Sequence, residues 1–356
     1  MASSTGSIDD QVGKRGEKDA RMGQSAMELH NSAIIIDAVC PLLDDQAKIE
    51  DYRAGGLTAI APTVGYRYGT ETTLRTIGSW HKLLRERDDL LLIRTAADIR
   101  KAKASGKVGI IMHFQGPEPI EDSLDLIDAF KVLGVGIMQL AYNVKNRIGD
   151  GCEERTDAGL SRFGLRVIER MNQARMIVDC SHTGVRTTME AIEHSSAPVI
   201  ISHANAKSVY PSPRNISDEL IKAIAENGGT IGVVGFPGFV SSDKRPTLDQ
   251  FIDHIAYMCD LVGTQHITLG IDYYSGQVPY VDDAIAMKEY RRSVADGIWS
   301  PKAYPEPPHY YPAGMETPKG MPALTKRLLE RGFAEADIRK IYGENLLRIY
   351  ETIWGE

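Results

Sequence analysis

The chain has 356 residues, 42% hydrophobic and 25% charged, with a net charge of -7 at neutral pH. That balance is ordinary for a soluble globular protein. The acidic excess, without any Lys/Arg cluster, argues against a nucleic-acid surface. No apolar run approaches the length of a membrane span, and the scattered Cys40, Cys152, Cys180 and Cys259 form no CxxC pair. A cytoplasmic protein with neither nucleic-acid nor membrane partners is expected.

Residues 1–24 are polar and charged, with no apolar core of a signal peptide, and are expected to form a disordered leader. From 25 to 356 no break in composition divides the chain. Residues 33–39 (AIIIDAV) read as a buried strand that the chain leaves at Cys40-Pro41. A helix over 44–54 stops at Gly55-Gly56, and 57–61 is a second strand. Helical periodicity over 71–87 places Trp80, Leu83 and Leu84 on one face. Further strands are expected at 108–114, 134–140, 177–180, 199–202, 229–235 and 267–271, with helices at 124–133, 160–174, 186–194, 217–226 and 248–262. Two helices close the chain over 323–353. Alternation of short apolar strands with helices predicts an α/β fold, a single-domain (β/α)8 TIM-like barrel. The Pro- and Tyr-rich stretch 279–322 is long for a loop in such a domain. It is expected to serve as a lid over the barrel mouth or as a contact in a homodimer or higher homo-oligomer.

Two matched cassettes stand out. Ile177-Val178-Asp179-Cys180-Ser181-His182 and Val199-Ile200-Ile201-Ser202-His203 each end an apolar strand in Ser-His. A helix between them makes a βαβ unit, so the strands are parallel neighbours and both histidines lie at their carboxyl ends. That edge is where ligands collect in parallel α/β folds. The pair reads as two ligands of a divalent metal, against two unrelated histidines capping helices or loops. The other polar residues at strand ends are Asp37, His113, Gln115, Tyr142, Asn143 and Asp272.

This pattern resembles the amidohydrolase metal barrel, and more closely the membrane (renal) dipeptidase family within it. The resemblance covers nearly the whole chain after residue 30. It is carried by Gly134-Val135 through Tyr142-Asn143, Gly149-Asp150-Gly151, Gly159-Leu160 through Phe163-Gly164 and Asp179-x-Ser-His182. It continues through Ser202-His203, Pro213-Arg214-Asn215, Asp218-Glu219, Gly228-Gly229, Gly270-x-Asp272 and Ile341 through Arg348. The family's first strand ends D-x-H-x-D, but here Val39 and Pro41 stand where those metal ligands would be. Its bridging Glu is Gln115, and its substrate-contacting His on strand four is Tyr142. The resemblance implies one divalent ion, zinc, on His182 and His203, with Gln115 either a third oxygen ligand or a hydrogen-bonding residue of the floor. It implies Asp272 as the acid that moves a proton, Arg214 as the clamp for a substrate carboxylate, and Tyr142 and Asn143 beside the substrate. His113 is read as packed in the core or turned inward. Cys40 is structural or a soft-metal ligand, and Glu118 is a possible replacement carboxylate. The implied function is a metal-dependent, dipeptidase-like hydrolase acting on a small amide or dipeptide with a free carboxylate. The alternatives are a non-hydrolytic metalloenzyme, a tautomerase or lyase, and a catalytically silent binding homologue.

Overall fold

The computed structural model describes residues 23–356. The expected leader falls almost wholly on residues outside that range, and at 23 and 24 the chain is already helical. Ten strands form one sheet. They are β1 (Ile36–Cys40), β2 (Ala59–Gly65), β3 (Leu90–Leu92), β4 (Val108–Ile110), β5 (Met112–Phe114), β6 (Val135–Gln139), β7 (Ile177–Asp179), β8 (Ile200–Ile201), β9 (Thr230–Val233) and β10 (Ile267–Leu269). Every pairing is parallel, in the order β10-β9-β8-β7-β6-β5-β2, with β1 on the other side of β2.

The strands β4 and β5 are one stave interrupted at Ile111, and its first half also pairs with the outer strand β3. Counting β4 and β5 together and setting β3 aside leaves the eight staves of a (β/α)8 barrel, as the alternation predicts. The seam between β10 and β1 is bridged by single hydrogen bonds. Ile271 N–H donates to Asp37 Oδ1 at 2.9 Å, and Leu42 N–H to the Tyr273 carbonyl at 2.7 Å. The staves read as near-continuous apolar runs because they are buried on both faces.

Four elements differ from the sequence expectation. The second strand runs on to Gly65 through Pro62, which pairs with Cys40 at an irregularity of register in the ladder. Leu90–Leu92 and the helix Ala96–Ser105 were not anticipated, although Thr95 and Asp98 form a full capping box that marks the helix start. The stretch 279–322 is no structureless loop, because it holds the helix Asp283–Ala295, capped by Asp282. It packs over the carboxyl end of the barrel through Tyr290, Trp299 and Tyr304. Among the described residues no helix is long and apolar enough to cross a membrane.

Candidate active site at the carboxyl ends of the strands

His182 follows β7 and His203 follows β8, and their rings meet with the two Nε2 atoms 2.7 Å apart. His182 takes a left-handed backbone, φ 61°, which turns its side chain into the mouth. The hydrogen-bond partners decide where each ring carries its proton. Asn143 Nδ2 donates to the Ile298 carbonyl and to Tyr304, so its Oδ1 faces His182 and His182 Nδ1–H donates to it at 2.6 Å. On the other side, Ser202 Oγ donates its single proton to Asp179 Oδ2 at 2.6 Å. His203 Nδ1–H therefore donates to Ser202 Oγ at 2.8 Å. Burial and the nearby Arg214 guanidinium hold both imidazoles well below the ordinary range, so each is neutral and has one N–H, on Nδ1. Two bare Nε2 lone pairs then face each other. That contact is repulsive by itself and becomes favourable when a cation lies between the lone pairs. The residues fit a single divalent ion held by two nitrogens.

Asp179 anchors this arrangement, and sequence reasoning assigned it no role. Burial works to raise its carboxyl, but bonds from His113 and Ser202 outweigh this and bring it down to about 2. Its Oδ1 accepts Ser181 N–H and Ser202 N–H, both at 2.9 Å, which ties the ends of β7 and β8 together. His113, expected in the core or turned inward, is fully buried with Nε2 3.2 Å from Asp179 Oδ2.

Gln115 and Asn143 are each held by neighbours distant in sequence. Gln115 Oε1 accepts the Thr63 hydroxyl at 2.9 Å, and Gln115 borders the same cavity as Asp272. One lone pair of that oxygen is thereby used and Gln115 sits on the floor beside Asp272, so both of its expected roles stand. Asn143 has both amide atoms committed to His182, Ile298 and Tyr304, so it orients His182 and has no free polar atom for a substrate. Among the described residues no group of three His, Cys, Asp or Glu side chains is placed to share an ion. The first-strand gap is real, since Val39 is buried and apolar and Pro41 opens a turn. Cys40 is fully buried against the Asp37 carbonyl and burial pushes its thiol up, as a structural thiol. Glu118 opens on a separate hollow with Glu121 and Arg147.

The remaining site residues converge on the mouth. Tyr142 stacks on His182, with ring centroids 4.0 Å apart. Asp272, again left-handed at φ 61°, faces the cavity with its Oδ1 unpartnered. Burial pushes its carboxyl up to about 8, against the pull of Arg214. Arg214 is buried, lies 5.1 Å over the Phe239 ring, and leaves Nε and Nη2 without partners. One cavity of about 260 Å³ borders Arg214, His182 and Cys152, and another of about 530 Å³ borders Tyr142, Gln115, Asp272 and the lid.

A parallel barrel with paired histidines on adjacent strand ends and an acid after the last strand defines an amidohydrolase-type scaffold. The family model for membrane dipeptidase (peptidase family M19) matches residues 46–300 and 305–354, and the chain belongs to that family. The chain is 31% identical over 249 residues to an uncharacterized dipeptidase of Schizosaccharomyces pombe, covering 69% of this chain and 53% of the relative. It is 27% identical to the dipeptidase verJ of Clonostachys rogersoniana, over 79% of this chain and 65% of the relative. The chain thus spans between about half and two thirds of the length of these two curated relatives. Among solved structures, an amidohydrolase from Pseudomonas aeruginosa is 36% identical with a TM-score of 0.85, covering 93% of this chain and 99% of that one. A metallo peptidase from Rhodobacter sphaeroides, liganded with a phosphinate mimic of the dipeptide L-Ala-D-Ala, shares the fold at 21% identity. Its TM-score is 0.74, covering 90% of this chain and all of that one.

Proposed function

We propose that this chain is a metal-dependent hydrolase of dipeptidase type, acting on a small amide or dipeptide that carries a free carboxylate. The observation that carries the proposal is the buried Arg214 guanidinium, set beside two imidazoles whose lone pairs converge. A planar fork with two unpartnered nitrogens matches a carboxylate bidentately. His182 and His203 would hold one divalent ion, zinc by the nitrogen chemistry of the pair, and such an ion supplies an activated water at neutral pH.

This chain's own residues do the rest. Asn143 and the Asp179–Ser202 pair keep the proton of each imidazole on Nδ1, leaving Nε2 free. Arg214 orients the substrate through its carboxylate end. Asp272 was expected to take up a proton. Burial pushes its carboxyl up to about 8 in the ion-free chain, a group suited to moving a proton between the water and the leaving nitrogen.

A second reading is proton transfer without hydrolysis, by a tautomerase or lyase. It is favoured by Gln115, Val39 and Pro41, which leave the pair without a bridging carboxylate. One experiment addresses both. Protein purified without chelator is assayed for zinc by elemental analysis and for turnover of a dipeptide panel. One equivalent of zinc, lost in His203→Ala with the circular dichroism of the barrel retained, together with release of amino acids, supports hydrolysis. Zinc uptake with no hydrolysis of any panel member favours the second reading. Two equivalents at full occupancy, or full zinc content in His203→Ala, overturns the ligand assignment.

A further inference from the structure

The larger cavity has a composition that the dipeptidase reading does not use. Its walls are aromatic: Tyr66, Tyr142, Phe236, Tyr274, Trp299 and Tyr304 border it above a floor of Thr63, Gln115 and Asp272. Trp299 and Tyr304 come from the lid and stack face to face, centroids 4.6 Å apart and planes 1° from parallel. Trp299 Nε1 donates to the Tyr142 hydroxyl at 3.4 Å, which ties the lid wall to the ring that stacks on His182. Tyr66 meets Tyr142 edge to face at 4.8 Å on the opposite side. Phe236, just after β9, is tilted against Tyr274 and meets Tyr304 edge to face. An aromatic wall of this kind rewards a ring offered to it, through offset or edge-to-face contacts that a small aliphatic group cannot make.

The placement of this box relative to the chemistry sets its meaning. Arg214 and His182 border the smaller cavity, and Tyr142, whose ring stacks on His182, borders the aromatic box together with Asp272. For a substrate anchored at Arg214 by its carboxylate, with its reacting bond at His182, the box behind Tyr142 is the adjoining space for its far end. A volume of about 530 Å³ accommodates a ring rather than a methyl group. We infer that the aromatic box selects substrates with an aryl group at the end remote from the carboxylate, such as an aryl amino acid on the amine side of a dipeptide. The inference rests on the carboxylate-anchoring reading of Arg214. Trp299 is then a specificity-determining residue of the lid.

The test is calorimetric titration of the protein with phenylalanyl-glycine, cyclohexylalanyl-glycine and alanyl-glycine. Phenylalanyl-glycine is expected to bind about tenfold more tightly than alanyl-glycine, and more tightly than the cyclohexyl compound of equal bulk. Trp299→Leu, which keeps an apolar side chain in the lid, is expected to bring the phenyl ligand to the affinity of the cyclohexyl one. Equal binding of phenylalanyl- and alanyl-glycine overturns the inference, as does an aryl preference that survives intact in Trp299→Leu. A parallel titration of Arg214→Lys keeps the two readings apart. A ratio near one with Arg214-dependent binding defeats the aryl box and leaves the anchor standing. A preserved ratio with no dependence on Arg214 defeats the anchor instead.

Discussion

Arg214 brings five donors into a pocket where it meets a thiol, a phenol and an aromatic face; Asp272 and Glu153 feel its charge, but among the described residues no carboxylate forms an ion pair with it. A buried cation without an acid partner is costly to the fold, and a ligand carboxylate relieves that cost. Arg214→Lys keeps the charge but loses the planar fork. Affinity for a free-acid dipeptide should fall by roughly 1–3 kcal/mol by calorimetry, while an ester-capped ligand, already weak, should barely change. Equal affinity of the free acid for both proteins would remove Arg214 from the site. At the same scale, Asn143 and Asp179 show how polar neighbours define a reactive pair. Neither contacts the ion-facing nitrogens, yet together they decide that both lone pairs point inward.

At the scale of the element, the ends of β8, β9 and β10 depend on missing side chains. A Cβ on Gly270 or on Gly232 would stand 1.9 Å from the Ser202 carbonyl oxygen. Ser202 immediately precedes His203, so the two glycines let three strands close around the residue that aims the imidazole. Gly270→Ala should cost about 1–3 kcal/mol by urea unfolding, from backbone displacement and not from lost conformational freedom. Gly78→Ala, in the exposed middle of the helix Thr70–Glu86 with nothing within 4 Å, should instead stabilise by about 0.4–1 kcal/mol. A Gly270→Ala protein as stable as the parent would show that the Ser202 carbonyl can move. The eight staves were legible because each is a buried β-branched run, and His182 and His203 because each ends such a run. Residues 90–105 were missed because Leu90–Leu92 is too short for periodicity, although the capping box at Thr95 was readable. The helix Asp283–Ala295 hid between prolines with a weakly segregated apolar face, burying only Ala286 and Tyr290. The roles of Gln115 and Asn143 depend on which way an amide points. Thr63, Ile298 and Tyr304 settle that, and all three are distant in sequence.

At the scale of the whole molecule, the barrel closes where its first and last strands meet, and a titratable group holds that seam. Asp37 Oδ1 accepts Ile271 N–H across the seam, while Oδ2 is buried without a partner. Burial raises the carboxyl from 3.8 to about 7, against the pull of its backbone bonds to Ile271 and Val39. A raised acid binds its proton more tightly folded than unfolded. Its stabilising contribution is therefore complete below about pH 4, where both states are protonated. Between about pH 4 and 7 the unfolded chain sheds the proton first and stability falls, levelling off above 7. A rise of that size limits the loss to roughly 4 kcal/mol. Asp37→Asn keeps the accepting oxygen for Ile271 and carries no charge at any pH. Measured by urea unfolding, the variant should gain on the parent by a few kcal/mol more at pH 8 than at pH 4.5. The titration of Asp272 is common to both proteins and largely cancels from that difference. A stability difference that is the same at both pH values would mean that Asp37 is ionised in the folded seam, with a partner at Oδ2 to hold its charge. The seam also leads directly into the site, since Ile271 is followed by Asp272. Loosening at high pH would then appear as lost ligand affinity in the parent and be absent from Asp37→Asn, which joins barrel closure to the placement of Asp272.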